Sequence, residues 1–166
     1  MSSTPPENGA APGPDPANAP SLRVLAQYLK DHSFENPNAP NSFVETKEPP
    51  TIDVGVDVSG RSLGGDQYEV ELAVTARATR GADVTFVVES TYAGVFEIRN
   101  VPADQLEPVM LVECPRLMFP FIRQIIAETT ITGNFPPVLL DPIDFFAIYQ
   151  QRKAQAAGGD AAAETA

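Results

Sequence analysis

The side chains able to do covalent or metal chemistry are few and scattered. His32 is the single histidine and Cys114 the single cysteine. A metal site needs several such donors at matched spacing, and an imidazole works in catalysis only with positioned partners. His32 therefore reads as a solvated ring in a polar connection. Cys114, flanked by apolar residues, reads as a packed and inert thiol. Gly64-Gly65 is a turn signal and not a phosphate loop, because no lysine or helix comes after it. Asp141 and Asp144 could be imagined as paired carboxylates, but helix capping accounts for both positions. No catalytic grouping, metal or cofactor is expected. The chemistry left to this chain is non-covalent binding.

Two residue sets suit binding. One is a row of carboxylates, Asp53, Asp57, Glu69, Glu71, Asp83 and Glu89, which read alone is a solvated sheet face. The other is a set of aromatic rings in connecting segments, Phe43 and Phe135. Each Phe fully buried contributes roughly 1.5–3 kcal/mol, so a few shallow contacts make a sequence-tolerant site.

Period-two alternation positions the first set. Ile52, Val54, Val56 and Val58 oppose Asp53, Gly55 and Asp57; Tyr68, Val70, Leu72, Val74 and Ala76 oppose Glu69, Glu71, Thr75 and Arg77. Val84, Phe86 and Val88 oppose Asp83, Thr85, Val87 and Glu89. Such strands form an antiparallel sheet covered on one face. Arg80-Gly81 and Leu63-Gly64-Gly65-Asp66 are reversals, and Ala93-Gly94 predicts a bulge. Ser21–Glu35 fits a helical or a strand pattern equally well. The spacing predicts a helix from Phe119 to about Thr132, closed by Gly133, with a break near Cys114-Pro115. A further helix is expected with Asp141 as N-cap, Pro142 first and Asp144 third.

The folded part is expected to be one domain over residues 21–153, with a Pro/Ala-rich disordered head (1–20) and an Ala/Gly-rich acidic tail (154–166). The 166 residues carry a formal charge of −11. That balance argues against nucleic acid and anionic membrane and favours basic partners. No run approaches the ~20 apolar residues a bilayer span requires. A lone cysteine and the lack of a secretory leader pattern predict the cytoplasm. Yet Leu117–Ile122 with Ile125 and Ile126, and Ile143 with Phe145–Tyr149, are apolar on every face. One sheet can shelter one side of such helices; a second copy, an apolar partner or both must meet the other.

Four motifs in register over Leu22 to Arg152 resemble the SecB protein-export chaperone family: Ser33-Phe34-Glu35-Asn36-Pro37-Asn38-Ala39-Pro40, Tyr68-Glu69-Val70, Cys114-Pro115…Leu117…Phe119-Pro120 and Gly133-Asn134-Phe135-Pro136. The resemblance implies an α+β fold, a four-stranded antiparallel sheet followed by two main helices, and makes Leu22–Glu35 a strand. It implies a homotetramer, a dimer of dimers with helices between two sheet layers. It implies an ATP-independent holdase that keeps unfolded precursor proteins translocation-competent and delivers them to the SecA motor, without inserting into the membrane. Asp31, Glu35, Val87 and Glu89 match the family's SecA-docking positions, and any zinc would belong to SecA's basic tail. Phe43, Ile52, Val54, Val56, Phe135, Leu139, Leu140 and Ile143 are the implied client-groove residues. Thr46-Lys47-Glu48-Pro49-Pro50 supplies no aromatic late in the first connection, where some relatives have one. The alternatives are an oligomeric scaffold and a carrier of small apolar ligands.

Overall fold

A computed structural model describes residues 13, 15–44 and 48–163, with side chains described through residue 158. Most of the expected head, residues 1–12 and 14, lies outside these. Four strands, β1 (Ser21–Glu35), β2 (Thr51–Gly64), β3 (Gln67–Arg80) and β4 (Asp83–Arg99), form one antiparallel sheet in the order β1-β4-β3-β2. Gly64, Gly65 and Gly81 adopt positive φ in the two hairpin turns, which only glycine does without strain. The helical part comes next as α1 (Ala103–Pro108), a π-helical segment Val109–Glu113, α2 (Cys114–Thr132) and α3 (Phe145–Ala163).

One sheet face supplies the core. Val70, Leu72, Val74, Ala76 and Ala78 of β3 and Phe86, Val88, Tyr92, Phe96 and Ile98 of β4 are buried with Met118, Ile122 and Ile126 of α2 and Phe145 and Tyr149 of α3. These α2 residues recur at intervals of four, which sets one helical stripe against the sheet. Gly94 lies within this layer because a Cβ there would approach the Phe96 ring to 2.6 Å. Cys114 is fully buried, and burial pushes its thiol up to about 12, as an inert packed residue requires.

Several local expectations are corrected. The first strand is bulged twice, at Leu25 and Lys30, where the pairing with β4 slips by a residue. Each slip inverts the facing of the residues beyond it, so β1 shows neither a clean period of two nor one of 3.6. The bulge expected at Ala93-Gly94 is not there, since both residues pair regularly with Tyr28 and Gln27 of β1 and with Glu71 and Val70 of β3. The main helix begins at Cys114 and not Phe119: Pro115 occupies its first turn, where a missing N–H is harmless, and Pro120 lies inside without ending it. The polypeptide between α1 and α2 stays helical through the π segment instead of breaking. Asp144, not Asp141, caps α3, accepting from the Ala147 N–H at 3.0 Å. Pro142 precedes the helix, and α3 runs on through its alanine-rich sequence to Ala163, past residue 153.

Candidate binding surfaces

The sheet's uncovered face has two ends with opposite character. At one, the Tyr28 hydroxyl donates to Glu69, Lys30 reaches Glu69 at 3.1 Å and also Glu71, and Arg61 donates from Nε at 2.6 Å. Tyr28 and Lys30 belong to β1 and Glu69 to β3, so their bonds cross β4, where the small Ala93 lies opposite Tyr28. Arg61 reaches Glu69 from the directly paired position on β2. Glu69 is consequently only 3% exposed. The Tyr28 hydroxyl first, then Lys30 and Arg61, hold its carboxyl down to about 2 against the opposing effect of burial. Glu97 is likewise buried, between Arg23 at 3.2 Å and Arg99 at 2.8 Å. This corrects the reading of the whole carboxylate row as solvated.

At the other end the ladder sets Glu35 opposite Val87 and Ser33 opposite Glu89, with Asp31 one pair further at Thr91. Directly opposed residues share a face, so Asp31, Glu35, Val87 and Glu89 lie on one patch of two neighbouring strands. The three carboxylates are exposed, Val87 is half-buried, and none of the three makes an ion pair among the described residues. The four predicted docking residues are thus brought together.

An apolar groove runs on the opposite face, between β2 and residues 134–143. A cavity of about 540 Å³ is lined by Pro49, Pro50, Ile52, Phe86, Phe135 and Pro136, among others. One of about 290 Å³ joins Phe43 to Phe135, and one of about 300 Å³ joins Val54 and Val56 to Leu140 and Ile143. Ile52 and Val54 are exposed. Seven of the eight predicted groove residues therefore line these cavities; Leu139 is exposed and lines none of the three. The prolines and Arg80, which lines two of them, were missed.

Phe135 is held by its loop. Its N–H donates to the Thr130 carbonyl at 3.0 Å, while the buried Thr130 hydroxyl accepts from the Val138 N–H at 3.0 Å. The ring packs with Phe86 (centroids 4.8 Å), Phe43 (5.3 Å) and Phe34 (6.4 Å). Gly133 leaves room for Phe34, since a Cβ would meet that ring at 2.3 Å. Thr130, inside a helix, gave no signal in the sequence.

His32 is not a lone solvated ring. Its Nδ1 lies 2.7 Å from the Ser90 hydroxyl and its Nε2 3.0 Å from that of Thr129, so it bridges the sheet to α2. It borders a cavity of about 590 Å³ with Leu29, Phe34 and Ile125. Val24, Leu25 and Leu29 on β1 and Leu117, Phe121 and Ile131 on α2 are exposed. Among the described residues no cluster of three or more His, Cys, Asp or Glu could hold a metal, and no helix is long and apolar enough to cross a membrane.

Comparison with known proteins agrees with this geometry. A family model described as preprotein translocase subunit SecB matches residues 15–156. Protein-export protein SecB of Maricaulis maris is 46% identical over 162 residues, covering 98% of this chain and 91% of its own. That of Bradyrhizobium diazoefficiens is 48% identical over 156 residues (93% and 97%), and that of Hyphomonas neptunium 50% over 159 (95% and 93%). A solved SecB-like chaperone of Mycobacterium tuberculosis, in complex with a ChAD peptide from an antitoxin, shares the fold. Its TM-score is 0.60 at 14% identity, covering 74% of this chain and 90% of that one.

Proposed function

The chain belongs to the SecB family of protein-export chaperones, and from that premise we propose that it is a nucleotide-independent holdase working through two separate surfaces. The groove formed by Phe43, Ile52, Val54, Val56, Phe135, Leu140 and Ile143, with Leu139 at its margin, takes apolar stretches of unfolded precursor proteins. Asp31, Glu35, Val87 and Glu89 on the far face dock the basic tail of the SecA motor. The observation that carries this reading is the groove itself. It presents apolar and aromatic side chains to solvent while the core beside it is fully packed.

Shallow contacts of this kind bind weakly one at a time. Several on one assembly capture a long chain, because after the first contact the rest are intramolecular. We infer a homotetramer in which copies cover the exposed edge of β1 and the outer stripe Leu117, Phe121 and Ile131 of α2. We infer a cytoplasmic location, since the proposed work is on precursors before their export. Nothing in this scheme calls on a catalytic group or a cofactor.

The test is the refolding of a denatured, reduced client without nucleotide. Stoichiometric protein is expected to slow refolding, and Phe135→Ser or Val54→Ser to relieve the delay. An unchanged refolding rate would leave only a scaffold or a small-ligand carrier. Mass in solution checks the assembly, since a stable monomer is incompatible with it.

A further inference from the structure

Arg80, the last residue of β3, lines three cavities at once. They are the two groove cavities that share Phe135 and a polar one of about 240 Å³ formed with Asn38, Asn41, Ser42, Asp83, Val84 and Thr85. Among the described residues it is the only cation lining any of them. One of its N–H groups, on Nη1, donates to the Ser42 carbonyl at 3.1 Å, which anchors the guanidinium at the groove's end. Among the described residues its buried Nε has no hydrogen-bond partner, and neither has the buried Ser42 hydroxyl oxygen. Among the described residues Arg80 forms no ion pair. A buried Nε–H left without a partner is uncommon, because buried donors in folded proteins are almost always paired.

We propose that Arg80 is a main-chain anchor: its guanidinium donates to a backbone carbonyl of an extended, non-native polypeptide whose side chains fill the flanking apolar cavities. This rests on the groove being the client site and adds the polar half of recognition to it. Charge selects the class of acceptor. Asp83 lines the polar cavity beside Arg80, so an anionic group approaching Arg80 there meets a carboxylate as well. A neutral carbonyl meets no such repulsion. An extended chain offers a carbonyl every ~3.3 Å whatever its sequence, so the contact fixes the direction and depth of the bound segment without restricting which segment binds. Aromatic rings alone give affinity but no such alignment. The planar donor edge of arginine, on a stem that itself packs against apolar surface, suits both tasks.

The probe is a labelled, C-terminally amidated peptide of about twelve residues, ~40 Å when extended. It is built from Leu, Phe, Ala and Lys with no carboxylate, and its binding to the full chain is measured by fluorescence anisotropy. Replacing its amides one at a time by esters weakens each carbonyl as an acceptor. One or two positions are expected to lose about fivefold in affinity, the worth of one hydrogen bond. In Arg80→Met the unmodified peptide binds about fivefold more weakly and the ester scan becomes flat. Esters tolerated everywhere, or a scan identical in Arg80→Met, overturns the anchor. Tighter binding of a Glu-bearing peptide that depends on Arg80 also overturns it, by making the site one for carboxylates. Failure of the groove reading looks different: Phe135→Ser then captures the all-amide peptide as well as the native protein does.

Discussion

The two ends of the sheet's open face carry the same residue type in opposite states. Glu69 and Glu97 have their charge met by Tyr28, Lys30, Arg61, Arg23 and Arg99 and are hidden from water. Asp31, Glu35 and Glu89 stand in solvent, with no cation paired to them among the described residues. The difference separates holding a structure from offering a surface. A carboxylate whose acceptor sites are filled ties strands together and has little left for a partner. One left open costs the fold little and extends its field outward over about a Debye length, ~8 Å at physiological salt. Placing both on one rigid sheet means that the patch proposed for docking keeps its shape before anything binds.

The largest expected effect comes from breaking the closed end. Glu69→Ala leaves Tyr28, Lys30 and Arg61 without their common acceptor and is expected to cost about 2 kcal/mol. Fully buried pairs lose roughly 3–5 kcal/mol, but here the cations reach solvent. Glu89→Ala, at the open end, is expected to stay within about 0.5 kcal/mol. Urea unfolding midpoints at neutral pH compare the two. Acid gives a second reading of the same contrast. The folded carboxyl of Glu69 sits at about 2 against an ordinary 4.5, so its contribution is complete above 4.5 and is lost as pH falls towards 2. Glu69→Gln should remove that share of the acid slope, and its stability curve should approach the native one near pH 2. Parallel curves for the two proteins would mean that the cluster stabilises nothing.

Reversing the emphasis sharpens the comparison. Asp31→Ala combined with Glu89→Ala is expected to weaken SecA binding by about tenfold, with the loss greatest at low salt, while client capture and stability persist. If capture fell equally, the two surfaces would not be separate.

The inner face was legible in the sequence because its physics is local. Ile52 to Val58, Tyr68 to Ala76 and Val84 to Val88 alternate without interruption, and the apolar positions of β3 and β4 supply the buried core. Ile52 and Val54 of β2 share that face but stay exposed. The groove was legible for the same reason, since residues such as Ile52, Val54 and Phe135 are apolar where a solvated surface would not need them. What escaped is what depends on distant segments. Nothing near Glu69 in the chain shows that Tyr28 and Lys30 will cross β4 to meet it. Two bulges hid β1 by changing the phase of its pattern. Arg80 looked like a turn residue until three cavities met at it, and Asp141 looked like a better cap than Asp144 because it precedes a proline. The family resemblance, carried by short motifs, recovered β1 where periodicity did not.

The smallest expected effect isolates one bond of the closed end. Tyr28→Phe keeps the ring and removes only the hydroxyl, the strongest single support of the Glu69 carboxylate. Lys30 and Arg61 remain, so the loss should be about 1 kcal/mol at neutral pH. The same bond raises the Tyr28 hydroxyl's own pKa, because ionising it would set two negative oxygens against each other. Two signs should therefore move together in Tyr28→Phe. The acid limb of unfolding shifts to higher pH, as Glu69 becomes easier to protonate, and one late-titrating tyrosine disappears from the alkaline absorbance curve. Loss of the late tyrosine with an unmoved acid limb would show that Lys30 and Arg61 alone hold Glu69 and that β1 is tied across β4 by the lysine, not by the hydroxyl.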